Sequence, residues 1–179
     1  MTKKLKTPLQ KKDILSLNIG DEILLSGYIY TARDQVHLKI YELIKTNKNL
    51  PFDFYNQIIY YCGPTPKRPG DIIGSCGPTT SSRMDFFTPF ILQKGITGLI
   101  GKGKRSKKVI QSIKKQKKVY FVTIAGAAAY LRRTIKTSEI IGFKELGPEA
   151  IYKLEVKDFP LIVAIDSKGN DIYENFRLF

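Results

Sequence analysis

Three short segments of the sequence bring together side chains that could bind and transform a small anion. The first is residues 31–37 (TARDQVH), which holds the only histidine of the chain. The second is residues 74–85 (GSCGPTTSSRMD), and the third is residues 101–104 (GKGK). Each follows a predicted strand, and loops at strand ends are the usual place for ligand-binding residues in α/β proteins.

Each segment supplies one cation, and together the three would match the charge of a small dicarboxylate. These cations are Arg33, Arg83 and Lys102. A guanidinium suits this task because its planar set of N–H groups can bind a carboxylate in a bidentate manner. The GKGK segment resembles a phosphate-binding loop but lacks the full GxxxxGK[ST] pattern, so it is a weak signal alone. The prediction is therefore that the three cations converge on one anionic ligand.

The second segment also carries a row of hydroxyl groups at the predicted start of a helix. Residues 79–82 all bear hydroxyls, and the free N–H groups at a helix start can bind an anion. The alternative is an ordinary N-cap, where Ser and Thr are favoured. One cap needs only one hydroxyl, so the row favours a functional role. Cys76 is interpreted as a small buried thiol, the other reading being a nucleophile with His37 as its base.

The acidic and imidazole groups of the first segment have structural alternatives. Asp34 stands at the start of a predicted helix, where a negative charge interacts favourably with the helix dipole. His37 is either an acid–base group or a histidine satisfied by its surroundings. The residues alone leave both alternatives open.

The hydrophobic pattern predicts strands and helices in alternation around these segments. Strands are predicted at residues 22–30, 58–62, 72–73, 97–100, 119–124, 140–143 and 161–165. Helices are predicted from residue 34 to about 47, over 79–92 with a kink or break at Pro89, and over 105–116 and 127–135. Such alternation is typical of βαβ units and a parallel sheet.

These elements predict an α/β fold with a parallel central sheet and a smaller antiparallel β layer. We expect the first strands of the chain to pair in the antiparallel sense. No linker or internal repeat is evident, so residues 1–179 are interpreted as one domain. Residues 1–12 are basic and are expected to form a flexible N-terminal segment.

The net charge of +14 at pH 7 first suggests a nucleic-acid partner. Nine of the basic residues lie between Lys102 and Lys118, where no acidic residue occurs. This stretch predicts a helix with Val109, Ile110 and Ile113 on its apolar face and lysines elsewhere. It lacks the interleaved aromatic residues that nucleic-acid readers usually show. A solvated surface is therefore favoured, and a basic nucleic-acid-binding module stays an alternative.

Apolar runs and the number of cysteines exclude several classes of protein. No apolar run reaches the length of a membrane span, and the basic N-terminus lacks the apolar core of a signal peptide. The two Cys residues do not make a disulfide framework, so a cytoplasmic location is expected. They are also too few to hold an iron–sulfur cluster, which is commonly ligated by about four thiolates.

Several blocks of the sequence resemble the β subunit of class I (iron–sulfur) fumarate hydratases. They are TARDQVH, YYCGPTPKRPG, IGSCGPTTSSRMD, IGKG and ELGPEAIYKLEVKDFPLIVAIDSKGNDIYEN. The same family includes the C-terminal domain of the single-chain enzymes, and the L-tartrate dehydratase β subunit is a near relative. The resemblance covers essentially the whole chain. It implies a swivelling β/β/α three-layer fold, which agrees with the mixed layers predicted above.

The resemblance implies a hydro-lyase that adds water reversibly to fumarate to give (S)-malate. In that family a 4Fe-4S cluster lies in the α part, held by three Cys, with one iron left open for substrate. This chain would then be half of an enzyme, inactive alone, and would bind a cluster-bearing α subunit. A higher assembly, such as a dimer of α–β pairs, is also expected. No metal ligand is expected from this chain itself.

The resemblance also assigns roles to individual residues. The substrate-binding set that it implies is Arg33, Arg83, Lys102, Gly77 and Thr80. The catalytic set is Thr79, His37 and Asp34. Thr79 matches the catalytic base proposed for the family, and Arg83 one turn later would have to lower the pKa of its hydroxyl. His37 falls in the family's RDxxH motif as a second acid–base candidate, and Asp34 would orient Arg33 or His37.

The resemblance leaves the substrate open between fumarate and L-tartrate. The YYCGPTPKRPG and RMD sequences resemble those of fumarases more than those of tartrate dehydratases. A third reading is a non-catalytic subunit that only shapes the active site of its partner.

Overall fold

The computed structural model describes residues 1–123 and 126–175. The strands within these residues are β1 (Lys3–Lys6), β2 (Glu22–Thr31), β3 (Ile58–Tyr60), β4 (Gly98–Gly101), β5 (Val119–Val122), β6 (Ile135–Gly142) and β7 (Ile151–Ile165). The α-helices are α1 (Lys11–Ser16), α2 (Asp34–Lys45), α3 (Thr88–Gln93), α4 (Lys107–Gln116), α5 (Ala128–Thr134) and α6 (Ile172–Asn175). Two 3₁₀ helices span Ser81–Met84 and Lys144–Glu149.

The strands form one mixed sheet that closes on itself. β2, β3, β4 and β5 are successive parallel neighbours. β7 runs antiparallel to both β5 and β2, so these five strands complete a ring. β1 pairs in parallel with the first half of β2, and β6 pairs antiparallel with the first half of β7. The fold is therefore mixed α/β, as the sequence predicted.

Both faces of the central strands are buried, which follows from their near-continuous apolar sequences. In β3 and the residue after it, Ile58 and Tyr60 point to one buried cluster, whereas Ile59 and Tyr61 point to the other. The first cluster includes inward residues of all five ring strands. The second lies beneath helices α2, α3 and α4. The strands are therefore fixed from both sides, which makes their ends rigid supports for loops.

Helices α2 and α4 are amphipathic, and each buries its apolar face. Val36 and Ile40 of α2 are buried, and so are Val109 and Ile113 of α4. The side chain of Ser106 caps α4 by accepting a hydrogen bond from the Val109 N–H. The lysines of α4 occupy its outer faces, so the predicted amphipathic helix is confirmed.

The predicted sense of the first strand pairings was wrong. β1 and β2 are parallel, and so are β2 and β3. The antiparallel pairings come instead from the end of the chain, through β6 and β7. Residues 3–6, within the segment expected to be flexible, form β1 against β2.

Other boundaries differ from those predicted. Residues 72–73 form no strand, because Ile73 enters the core within a chain of bends and Ile72 is exposed. The helix expected at 79–92 is divided into the 3₁₀ helix Ser81–Met84 and α3, with Pro89 in the first turn of α3. β5 was predicted to reach Ile124, which lies outside the described residues.

The largest difference concerns β7. It begins at Ile151, ten residues before the predicted start. The prediction missed the first half because Lys153, Glu155 and Lys157, which are partly or fully exposed, interrupt its apolar residues, and because Asp158 and Pro160 separate it from the predicted segment. Its length lets β6 pair with one end and β5 with the other. No helix in the described parts of the chain is both long and apolar enough to cross a membrane.

Candidate active site at the carboxyl edge of the sheet

The predicted loops meet at one edge of the sheet because of strand direction. β2, β3 and β4 are parallel, so their carboxyl ends share an edge, and the antiparallel β7 begins at the same edge. Arg33 follows β2 and Lys102 follows β4. The backbone N–H of Thr79 donates a 2.7 Å hydrogen bond to the carbonyl of Tyr61, directly after β3. The three segments singled out in the sequence are thus neighbours.

Asp34 links the two predicted arginines. Its Oδ1 lies 3.2 Å from Arg83 Nε, and its Oδ2 lies 3.7 Å from Arg33 Nη2. The side chains remain accessible, with 26% of Arg33, 32% of Asp34 and 46% of Arg83 exposed. A shared carboxylate at these distances lets two like charges lie close together while leaving N–H groups for a ligand.

Thr79 is held directly by Arg83. Arg83 Nη2 donates a hydrogen bond of 2.5 Å to Thr79 Oγ1. The guanidinium therefore lies where it can stabilise negative charge on the Thr79 oxygen. The catalytic role that the resemblance implies for Thr79 stays a prediction. Because the hydroxyl oxygen accepts this bond, its own hydrogen is free to point toward the open side of the edge.

Lys102 joins the second loop through its backbone. Thr80 forms an isolated parallel bridge with Lys102. The Ser81 N–H donates to the Lys102 carbonyl over 3.2 Å, and the Lys102 N–H donates to Ser81 Oγ over 3.0 Å. A Cβ atom on Gly101 would collide with Ser81 Oγ, so glycine at position 101 is required for this close approach. Thr80 and Lys102 therefore lie side by side, and their shared role in substrate binding stays a prediction.

His37 lies apart from the accessible residues. It is fully buried, and its Nδ1 lies 2.8 Å from the Arg33 carbonyl, which can only accept. Nδ1 therefore carries the proton, and the buried Nε2 has no partner in the described part of the chain. Burial lowers the pKa of His37 to about 4, with Arg105 adding to the effect, so the ring is neutral at pH 7. This placement favours support of the Arg33 backbone over proton transfer with a ligand.

Two residues of the edge were not singled out in the sequence. Glu149 Oε1 lies 3.7 Å from Arg33 Nη2, and its Oε2 accepts from the Gln35 N–H over 3.1 Å. A Cβ atom on Gly63 would lie 2.8 Å from the Arg33 side chain. Glu149 lies within the ELGPEA block, but nothing local to that block indicates that β7 would bring it to Arg33.

Gly77 and Cys76 shape the loop that leads to Thr79. A Cβ atom on Gly77 would lie 2.9 Å from Ala128 Cβ, so a larger residue would push helix α5 away from the loop. Cys76 is completely buried. The interpretation of Cys76 as a buried thiol is therefore confirmed.

A buried ion pair supports the loop from behind. Arg105 Nε lies 2.7 Å from Asp85 Oδ1, and Asp85 Oδ2 accepts from the Ser106 N–H over 2.6 Å. The Arg105 guanidinium also donates to Thr88 Oγ1 over 2.7 Å and lies over the ring of Tyr120. Since Asp85 directly follows the 3₁₀ helix that carries Arg83, this pair fixes that helix against the start of α4.

The titratable groups of the described chain do not assemble a metal site. No group of three or more His, Cys, Asp and Glu side chains is arranged to hold a metal ion within residues 1–123 and 126–175. The two thiols are buried and contact each other. These residues therefore do not fit the ligand set of an iron–sulfur cluster.

Comparison with known proteins identifies the family of this chain. Residues 2–176 match the family model described as "Fumarase C-terminus". This chain belongs to that family. It is 46% identical over 172 residues to the "Putative L(+)-tartrate dehydratase subunit beta" of Methanocaldococcus jannaschii, covering 93% of this chain and 88% of the relative.

Two fumarate hydratases are also similar to this chain. It is 38% identical to "Fumarate hydratase 2" of Leishmania major, over 94% of this chain. The same identity is found with the aerobic class I fumarate hydratase of Escherichia coli, over 89% of this chain. The chain spans only 30% of the length of each of these two proteins. The resemblance read from the sequence blocks is therefore confirmed at the level of the family.

Proposed function

We propose that this chain is the β subunit of a two-subunit hydro-lyase that catalyses the reversible hydration of fumarate to (S)-malate. The observation that carries the proposal is the continuous set of contacts from Arg33 through Asp34 and Arg83 to Thr79 at the carboxyl edge of the sheet. Membership of the family and the similarity to fumarate hydratases support it. In this proposal the chain is a single domain of the swivelling β/β/α type.

The cations of the edge bind the two carboxylates of the substrate. Arg33, Arg83 and Lys102 supply three positive charges, and Asp34 and Glu149 supply two negative ones. The remaining positive charge attracts a dianion, and the loose 3.2–3.7 Å contacts with Asp34 and Glu149 leave guanidinium N–H groups for it. The backbone at Gly77 and Thr80 lines the approach to these groups.

The difficult step is removal of a proton from the carbon next to a carboxylate, because negative charge then builds up on that carboxylate. In the direction from malate, Thr79 Oγ1 accepts this proton. Arg83 favours the deprotonated form of Thr79 through its 2.5 Å contact. The fixed guanidinium groups stabilise the charge that develops on the substrate, and such stabilisation is commonly the largest contribution to catalysis.

His37 and Asp34 act through the arginines in this proposal. The Nδ1–H of His37 holds the Arg33 carbonyl at the start of α2, and Asp34 orients both guanidinium groups. His37 is therefore a positioning residue. This differs from the acid–base role expected from its motif, because a fully buried neutral imidazole does not reach the accessible edge.

The chain would work with a cluster-bearing α subunit in the cytoplasm. In this proposal that partner holds the 4Fe-4S cluster, since the two buried thiols of this chain do not fit as its ligands. The partner would cover the accessible edge at Arg33 and Arg83. A dimer of α–β pairs is the proposed assembly.

Dehydration of L-tartrate is the second candidate function. The specific observation in its favour is the 46% identity to the M. jannaschii protein, of which this chain covers 88%. The edge described here would bind either dicarboxylate, since both substrates present two carboxylates. The additional hydroxyl of tartrate would be recognised by the partner or by residues beyond this edge.

Anaerobic reconstitution with the α subunit tests the proposal. Fumarate consumption is followed by its absorbance, and L-tartrate is supplied in a parallel assay. We expect fumarate turnover by the pair and none by either chain alone. Activity of this chain alone would contradict the two-subunit arrangement, and turnover of tartrate without fumarate would favour the second candidate.

Matched variants test the assigned residues within the same assay. Thr79→Ala removes the hydroxyl, whereas Thr79→Ser retains it, so only the first should abolish turnover. Arg33→Ala should assemble with the partner, as measured by size-exclusion chromatography, yet lose activity. Unchanged turnover of Thr79→Ala would refute the role of Thr79, and full activity of Arg33→Ala would favour a subunit that only assists assembly.

A further inference from the structure

The two cysteines of the chain lie in direct contact, although 13 residues separate them in sequence. Their Sγ atoms are 2.6 Å apart. This separation is shorter than a van der Waals contact between two sulfur atoms, and a disulfide bond measures about 2.05 Å. Cys62 follows β3, and Cys76 lies three residues before Thr79. Both are buried, with exposures of 1% and 0%.

The backbone around both thiols is held from several sides. The Tyr60 hydroxyl donates a 2.8 Å hydrogen bond to the Cys76 carbonyl, which ties the second loop to β3. Each cysteine is followed by Gly-Pro, and a Cβ atom on Gly63 or Gly77 would lie within 3 Å of a neighbouring side chain. The segments that carry the two thiols are therefore closely packed against their neighbours.

We propose that Cys62 and Cys76 are a modification site, a dithiol that a peroxide converts into an intrachain disulfide. One thiol sulfur attacks a peroxide oxygen, which breaks the O–O bond, releases water and leaves a sulfenic acid. The second thiol sulfur then attacks the first, which forms the S–S bond and releases a second water. For hydrogen peroxide, two thiols and one peroxide give one disulfide and two waters. A dithiol such as dithiothreitol reverses the change by exchange.

The surroundings of the two thiols slow the formation of the disulfide bond in the folded chain. Burial, together with the neighbouring Cys76, raises the pKa of the Cys62 thiol well above its ordinary value. The thiolate is the reactive form, so the reaction quickens as the pH rises. The isolation of the pair from solvent also excludes larger reagents, and a small peroxide is the class of oxidant that fits.

The disulfide would close the proline-rich loop of residues 63–75. Closing a loop of this size restricts the unfolded chain, and the midpoint of thermal unfolding should rise by roughly 5–10 °C. It would also lock the segment before Thr79 against the end of β3. The proposal rests on the thiol geometry and is independent of the proposed hydro-lyase activity.

Mass spectrometry of alkylated protein provides the test. The reduced chain is treated with hydrogen peroxide at alkaline pH, unfolded without reductant, and alkylated with N-ethylmaleimide. We expect a monomer that has lost two hydrogens and carries no adduct, while the dithiothreitol-treated sample carries two adducts. In parallel, the unfolded chain is refolded in a glutathione redox buffer, where access to the thiols is not limiting, with the same expected product.

The single variants Cys62→Ser and Cys76→Ser serve as matched controls. Neither can form the intrachain bond, so neither should gain thermal stability after peroxide treatment, whereas the wild-type chain should. Two alkylated cysteines in both the peroxide and the glutathione samples would overturn the proposal. Disulfide-linked dimers, or separate oxidation of each cysteine to a sulfinic acid, would also overturn it.

Discussion

Two arginine–aspartate arrangements lie within one short stretch of this fold, and they differ in almost every physical respect. At the sheet edge, Arg33 and Arg83 share Asp34 at 3.2–3.7 Å and remain partly exposed. Behind it, Arg105 meets Asp85 at 2.7 Å and its side chain is fully buried. In the first arrangement, guanidinium N–H groups remain available to a ligand. The second directs most of its donors to protein groups, so it serves to fix the loop that the first one uses.

The largest expected effect comes from breaking the buried pair. Arg105→Gln leaves Asp85 nearly buried without its counter-charge and should lower the free energy of unfolding by about 3–5 kcal/mol. Urea denaturation of the purified chain measures this change. Arg105→Lys keeps a positive charge and should recover part of the loss. A loss below about 1 kcal/mol for the Gln variant would mean that the two arrangements are energetically alike.

Breaking the exposed arrangement should affect activity and leave stability nearly unchanged. Arg83→Gln removes the charge beside Thr79, and turnover in the reconstitution assay of the proposed enzyme should fall about 10²- to 10³-fold. The free energy of unfolding should change by less than about 1 kcal/mol, since ion pairs of partly exposed groups contribute little. The matched control is Lys115→Gln on the outer face of α4, which should alter neither quantity. A stability loss as large as that of Arg105→Gln would contradict the contrast.

The buried histidine beneath Arg33 should make stability depend on pH. The pKa of His37 is about 4 in the folded chain, against 6.5 as its ordinary value. Between these values the unfolded chain binds a proton that the folded chain does not. The contribution of His37 to the free energy of unfolding is therefore fully present above pH 6.5. As the pH falls to 4, roughly 3 kcal/mol of this free energy is lost. Urea denaturation at several pH values measures it.

His37→Asn is the matched variant for this pH dependence. The Asn side-chain amide can replace Nδ1–H as donor to the Arg33 carbonyl, but it does not titrate. Its unfolding free energy should vary less between pH 6.5 and 4 than that of the wild-type chain. An identical slope in both proteins would assign the pH dependence to the carboxylates instead.

The smallest effect is expected from the most highly charged part of the chain. Neutralising Lys107, Lys108, Lys114 and Lys115 to Gln should leave turnover by the assembled enzyme within about twofold, because these side chains point outward from α4. A nucleic-acid-binding module would instead show affinity that falls steeply with salt and is lost in this variant. Fluorescence titration with a labelled oligonucleotide at two salt concentrations distinguishes the two.

Sequence patterns predicted the local features of this molecule better than its long-range ones. The helix that begins at residue 34, the apolar face of α4 and the proximity of Thr79 to Arg83 depend on neighbours in sequence, and these predictions agree with the structure. The role of Glu149 depends on where β7 begins, and the polar alternation of that strand concealed its first half.

His37 is a second residue whose position could not be predicted from local sequence. Its motif indicated chemistry, but motif spacing carries no information about burial. Its ring is enclosed by residues of other elements, including Tyr61 and Phe87. Only the packing of α2 against the second cluster shows that the imidazole is inside.

The closure of the strand ring has a consequence for how the chain acquires its site during synthesis. Glu22 of β2 pairs with Ile162 of β7, and the two are separated by 140 positions in sequence. Pairings between such distant residues form slowly, because the intervening chain must be ordered first. On the ribosome, Arg33, Thr79 and Arg83 emerge well before β7 exists to complete the ring. The edge should therefore acquire its final geometry only after residues 151–165 have emerged and β7 has paired with β2 and β5.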